Sequence, residues 1–218
     1  MAFASTCSLS LDTKRPISGF INICPDMFNA MKFNDKSRWS STIKHELTHS
    51  LVFASSHFER FPGVTQVLQN DPITIIPGVV EKFTRTDWEV AGGIIKHDVY
   101  MIVTPRVRQE ARKHFDCDSL EGAELESQGG TGTAGSHWEK RLFENEVMTG
   151  VSTQVYAMSR LTLALFEDSG WYRVNYSNAE EMAWGKGLGC DFAKKSCLSW
   201  MKKSSQPYPF CVQQDDTR

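Results

Sequence analysis

Residues 42–53, TIKHELTHSLVF, set two histidines around a glutamate in the order His45-Glu46-x-x-His49. An α-helix advances about 100° per residue, so histidines four apart sit about 40° apart on one face, and both imidazoles can reach one metal ion. Glu46 lies beside them, near enough to hold a water on that ion without being a ligand. The chemistry open to such a set is metal-assisted hydrolysis, with zinc activating water and the carboxylate taking up its proton. A catalytic zinc has three protein ligands and one open position, so a third ligand must come from elsewhere.

In the compact zinc-peptidase pattern a glycine stands three residues beyond the second histidine and a third histidine six beyond it. Those positions hold Val52 and Ser55. His57 is two residues out of register and reads as a surface histidine. His97 and His114 read as structural or surface groups. His137 differs: it follows a glycine-rich loop, SQGGTGTAGS (127–136), able to carry it back to the helix. Met148 comes eleven residues later, in a segment closing at Gly150. A methionine-bearing turn soon after the third histidine is the metzincin arrangement, an apolar floor under the metal. In the alternative, gluzincin reading, Glu81 or Glu89 is the third ligand, but no helical E-x-x-x-D partner accompanies either.

These residues need positioning elements. RPISGFINICP (15–25) reads as a strand bounded by prolines. Ser40 or Ser41 is the predicted N-cap of the histidine-bearing helix, which must end before Pro62. Ile43, Leu47, Leu51 and Ala54 fall opposite the histidines and are predicted to face the core. Residues 63–103 mix short β-type runs (TIIP, GVVEKF, VYMIV) with glycine and proline. TPRVRQEARKHF (104–115) opens with Thr then Pro, a helix start. VYAMSRLTLALFEDSGW (155–171) has helical periodicity closing at Gly170. The tail after residue 185 reads as cysteine-stapled loop.

The 218 residues are 40% hydrophobic, enough for one sizeable domain or two small ones. A net charge of −2 with both signs mixed gives no footprint for nucleic acid. No apolar run is long enough for a transmembrane helix. The start, MAFASTCSLSLDTKRP, does not read as a signal peptide. Six cysteines (Cys7, Cys24, Cys117, Cys190, Cys197, Cys211) without a C-x-x-C pair favour disulfides and an oxidising compartment; six free thiols is the alternative. Asn175-Tyr176-Ser177 is a glycosylation sequon consistent with secretion.

HELTHSLVF, then a long insertion, then ELESQGGTGTAGSHWEKRLFENEVMTG and LTLALFEDSGWYRVNYSNAEEMAWGKGLGCDF resemble the leishmanolysin family of zinc metallopeptidases, nearer to its animal members than to the protozoan surface enzymes. The likeness covers nearly the whole chain, least clearly residues 58–103. It implies an α+β fold: a partial zincin/metzincin-like catalytic domain with an active-site helix and a disulfide-stapled, mainly helical or loop C-terminal part. Residues 1–57 would end the N-terminal subdomain, 58–136 would be the insertion between the second and third ligands, and 137–218 the C-terminal subdomain. His45, His49 and His137 would bind one Zn2+ per chain, with Glu46 as catalytic base and Met148 as the Met-turn residue. The resemblance also implies a Cys117–Cys190 bridge, with Cys7–Cys24 as a second and Cys197 paired with Cys211 or with a cysteine outside this chain. It places Val52 where the family has glycine; either that residue takes a left-handed conformation or the helix runs on. The chain would begin within the family's catalytic domain, without a propeptide. The implied activity is a metalloendopeptidase acting on protein or peptide substrates. The alternative is an inactive peptidase-like or cell-adhesion module of the same fold. A secretory, extracellular or membrane-associated location follows from the cysteines, while the resemblance also admits a cytoplasmic one and membrane association of the full-length protein.

Overall fold

A computed structural model of the chain describes residues 2–25, 36–69, 71–151, 156–203 and 205–211. The first elements are an antiparallel pair, β1 (Ala2–Leu9) and β2 (Pro16–Ile23), with Ala2 opposite Ile23 and a bulge between Thr6 and Ser8. Helix α1 (Lys36–Leu51) lies across this pair. Gly19 makes the close approach possible: a Cβ there would stand 2.7 Å from Ser5 O and 3.4 Å from Ser50 Cβ. Thr6 Oγ1 donates to Ser50 O at 2.6 Å and fastens strand to helix.

Ser40 and Ser41 lie inside α1 rather than at its start. Its predicted core face is also reversed in part, since Ile43 and Leu47 are 39% and 43% exposed while Glu46, Thr48 and Ser50 are buried. The hairpin covers the small polar side of the helix, and among the described residues little covers the aliphatic side. The chain then makes one short turn of helix, α2 (Ser55–Phe58).

Residues 63–103 resolve into more regular structure than their mixed composition suggests. β3 (Val80–Val90) and β4 (Gly93–Ile102) form a long antiparallel hairpin, and β5 (Ala123–Leu125) adds to β4. Its outer end is exposed, with Ile94 at 69%, while Val99–Val103 run into the core. Helix α3 (Pro105–Phe115) follows with Pro at its first turn, as the sequence predicts. Thr104 occupies the N-cap position without capping; the Asp168 carboxylate accepts from Arg106 N and Val107 N at 2.9 and 3.0 Å instead. Asp168 ends α5 (Arg160–Asp168), which packs on α3, and between the two in sequence lies the short α4 (Lys140–Phe143). The tail is not simple loop: α6 (Gly189–Lys194) and α7 (Cys197–Met201) occupy it. One core built on Phe53, Phe58, Phe115, Trp138, Phe143 and Phe192 joins these pieces. The whole is a mixed α+β structure with small sheets.

Cys117 and Cys190 form a disulfide with sulfurs 2.00 Å apart, tying the end of α3 to α6. The other four cysteines are free. Cys7 sits at the bulge of β1, whereas Cys24 follows the partner of Ala2, so about six residues of strand, roughly 20 Å, separate them. No disulfide spans more than about 7 Å between Cα atoms, and the expected Cys7–Cys24 bridge is ruled out. Cys197 and Cys211 likewise remain unjoined. Among the described residues no helix is long and apolar enough to cross a membrane.

An ion-pair cluster pins the β3–β4 hairpin to the body. Arg85 grips Glu121 through two bonds of 2.7 and 2.9 Å, and Lys194 of α6 adds a third contact at 3.0 Å. Burial works to raise the Glu121 carboxyl, but these cations outweigh it and hold it at about 2 against an ordinary 4.5. A depressed carboxyl contributes stability above its unfolded value and loses it as pH falls toward its folded value. Glu121→Gln is therefore expected to cost about 2 kcal/mol at pH 7, with the wild-type advantage fading between pH 4.5 and 2. Urea melts of both proteins across that range check this; a constant difference would refute it.

Candidate metal centre

The spacing of α1 sets the His45 and His49 rings one turn apart, with centroids 4.6 Å from each other. His137 arrives from 88 residues beyond His49. Its loop is pinned at the base, where Glu126 N donates to His137 O at 2.9 Å and Gly135 N to Glu126 O at 2.8 Å. Gly150 presses against the ring: a Cβ there would stand 3.4 Å from His137 Cγ and 2.6 Å from Thr133 Cγ2. The three Nε2 atoms converge, with His49–His45 at 3.0, His49–His137 at 3.1 and His137–His45 at 3.2 Å.

Each ring spends its other nitrogen on a backbone carbonyl. Nδ1–H of His45 donates to Val147 O at 2.5 Å, that of His49 to Phe53 O at 2.8 Å, and that of His137 to Thr133 O at 3.0 Å. With the proton on Nδ1, each neutral ring presents a bare lone pair at Nε2, so the three close approaches are not hydrogen bonds to one another. Burial lowers all three pKa values; His49, with His45 and His137 beside it, falls to about 3 and His137 to about 4. Three lone pairs facing one point repel unless a cation sits among them. Tetrahedral zinc at 2.0–2.1 Å from each nitrogen would separate ligand atoms by about 3.3 Å, close to the spacing observed. Imidazole nitrogen is also a donor that zinc favours, and the carbonyl bonds are the outer contacts that fix ligand tautomers.

Glu46 is 7% exposed, and burial raises its carboxyl above the ordinary range. It lines, with the three histidines, a cleft of about 850 Å³. The β1 stretch Ala2–Thr6 lines that cleft, as do Thr149, Gly150 and Tyr156. Met148 is fully buried, and its carbonyl accepts from Trp138 N at 3.0 Å, next to His137. Val52 does not adopt a left-handed conformation; its N–H donates to Thr48 O at 2.9 Å, so the helical turn runs on and swings the Phe53 carbonyl back to His49.

The other histidines stay apart from the centre. His57 is buried rather than on the surface, at 3% exposure, with Nε2 3.0 Å from Thr6 Oγ1. His97 stacks on Trp88, and His114 bonds to Trp184 O. Glu81 caps Gly78 N and Glu89 holds Ser199 and Lys202, so neither joins the histidines. Asn175 is exposed, its side chain accepting from Ser177 N and Oγ. The sequence reasoning missed β1 as a cleft wall; its cue was the alternation Ala2, Ala4, Thr6 against the exposed Phe3, Ser5, Cys7.

The family profile described as leishmanolysin matches residues 1–218. The chain belongs to the leishmanolysin family. Among its relatives, the leishmanolysin-like peptidase of Drosophila pseudoobscura pseudoobscura is 45% identical over 236 residues, covering 99% of this chain and 34% of that protein. The leishmanolysin-like peptidase of Caenorhabditis elegans is 41% identical over 230 residues, covering 97% and 34%. The leishmanolysin of Leishmania major is 31% identical over 216 residues, covering 99% and 31%. This leishmanolysin-family chain thus spans about a third of the length of the relatives it matches.

Proposed function

We propose that the chain is the zinc-binding part of a metalloendopeptidase of the metzincin type. The observation that carries this is the convergence of three unprotonated Nε2 atoms beside a buried carboxylate in one cleft. His45, His49 and His137 hold the ion, and the Nδ1 bonds to Val147, Phe53 and Thr133 keep each ring in the ligating tautomer. Zinc held there would supply Lewis acidity, making water acidic enough to ionise near pH 7 and polarising the scissile carbonyl. Glu46 takes the proton of the attacking water and delivers it to the leaving amine. Met148 closes the floor behind the rings as the Met-turn residue.

β1 supplies a way to hold a peptide. Among the described residues it pairs only with β2, and the stretch Ala2–Thr6 borders the cleft. An extended substrate added to the unpaired edge would gain main-chain hydrogen bonds while its alternate side chains sample the cleft. The Cys117–Cys190 disulfide favours a protein that meets an oxidising compartment. The test is zinc content together with cleavage of a casein-type substrate. One zinc per chain is expected, with cleavage lost to chelator and restored by zinc. Bound zinc with no cleavage would favour the inactive peptidase-like module instead.

A further inference from the structure

Two residues before Met148 stands Glu146, with none of its surface exposed. Both of its oxygens are engaged by donors. Oε2 accepts from Met148 N–H at 2.5 Å, and Oε1 from Thr162 Oγ1 at 2.6, Ser159 Oγ at 2.7 and Ser159 N at 3.3 Å. The two hydroxyl protons have nowhere else to go: Thr162 Oγ1 accepts from Trp138 Nε1 at 2.9 Å, and Ser159 Oγ from Leu161 N at 3.2 Å. Removing a carboxylate from water is costly, and mere packing at this place would be served better by an apolar side chain.

What lies between the two sets of donors accounts for the carboxylate. Residues 146–148 form the turn whose middle carbonyl, that of Val147, accepts the Nδ1–H of His45. The turn is held on its flanks by Val147 N to Ala157 O at 2.9 Å and Trp138 N to Met148 O at 3.0 Å. Thr149 N closes the turn onto Glu146 O at 3.1 Å, and the Glu146 carboxylate joins the Met148 N–H to the first turn of α5.

We propose that Glu146 is a positioning residue of the metal centre: it fixes the Val147 carbonyl that selects the His45 tautomer and aims Nε2 at the ion. This rests on the zinc reading of the three histidines. Gln in place of Glu146 keeps the shape but turns an NH2 toward a fixed donor, on the Met148 side or on the α5 side. His114→Ala removes a half-buried ring that bonds to Trp184 O, outside this clamp, so it reports on structure alone.

Zinc affinity by chelator competition, the visible spectrum of the Co2+-loaded chain, and thermal midpoints of the metal-free chain are measured for wild type and both variants. Glu146→Gln is expected to weaken zinc about 10-fold and to shift the cobalt bands. His114→Ala is expected to lower the midpoint without moving affinity or bands. Unchanged affinity and spectrum in Glu146→Gln would overturn the proposal, as would equal changes in His114→Ala. Should Glu146→Gln be insoluble, Glu146→Asp, charged but too short to span both partners, is expected to give the same loss; failure of both to fold would make the residue architectural and the proposal wrong. Uptake of neither metal by the wild-type chain would instead overturn the zinc reading, and this proposal with it.

Discussion

Replacing Glu46 by Gln is expected to leave one zinc bound per chain while lowering turnover by about 10²- to 10⁴-fold. Gln keeps the length, planarity and hydrogen-bonding reach of the side chain, so the helix and its flanking histidines are undisturbed. What it lacks is an oxygen that can accept a proton at neutral pH. Glu46 does not take part in the cluster of ligand atoms, which contains His45, His49 and His137 only, and so its loss should not release the metal. The residue is 7% exposed, and a carboxylate kept from water is a stronger base than a solvated one. Loss of the proton acceptor acts on the transition state rather than on peptide binding, so kcat should fall with KM little changed. Steady-state kinetics with metal analysis on the same sample decide it. A Gln variant that retained the wild-type rate would remove Glu46 from the chemistry; one that lost zinc would make it a structural support.

The parts of the fold that local sequence could reveal are those whose cause is local. The spacing of His45 and His49 and the proline-bounded strand before them are of this kind, as are Pro105 opening α3 and Gly170 after α5, and all appear in the structure. Periodicity reports which face of a helix is apolar but not what covers it. That is why Ile43 and Leu47 read as core yet are exposed, while His57 read as surface yet is enclosed beside Thr6 and Trp171. Register defeats cysteine pairing in the same way, because Cys7 and Cys24 are near in sequence but at opposite ends of a hairpin. α6 and α7, at six and five residues, are too short for a helical period to show. The carbonyls of Val147, Phe53 and Thr133 have no sequence signature at all, since every residue carries one. Yet they decide which nitrogen of each imidazole faces the other two rings.

His137→Ala is expected to abolish both tight zinc binding and the stability that zinc confers. His45 and His49 belong to one helix, so metal held by them alone links nothing that α1 does not already hold. His137 comes from 88 residues farther on, and coordination by it ties the loop before Trp138 to that helix. A ligand that binds only the folded chain stabilises it by about 4 kcal/mol at a thousand times its Kd. For a chain of this size that amounts to a rise in thermal midpoint of roughly 8–16 °C. With two ligands left, saturation at the same zinc concentration should fail and the rise should nearly vanish. Loss of a buried ring alone would also lower the midpoint, so the quantity to compare is the zinc-induced shift, not the midpoint itself. His114→Ala is the matched control: its ring is also partly buried and bonds to Trp184 O, so the variant should melt earlier yet respond to zinc as the wild type does. A His137→Ala protein with the full zinc-induced shift would mean that the third ligand is another residue and that the convergence of the three rings has no metal at its centre.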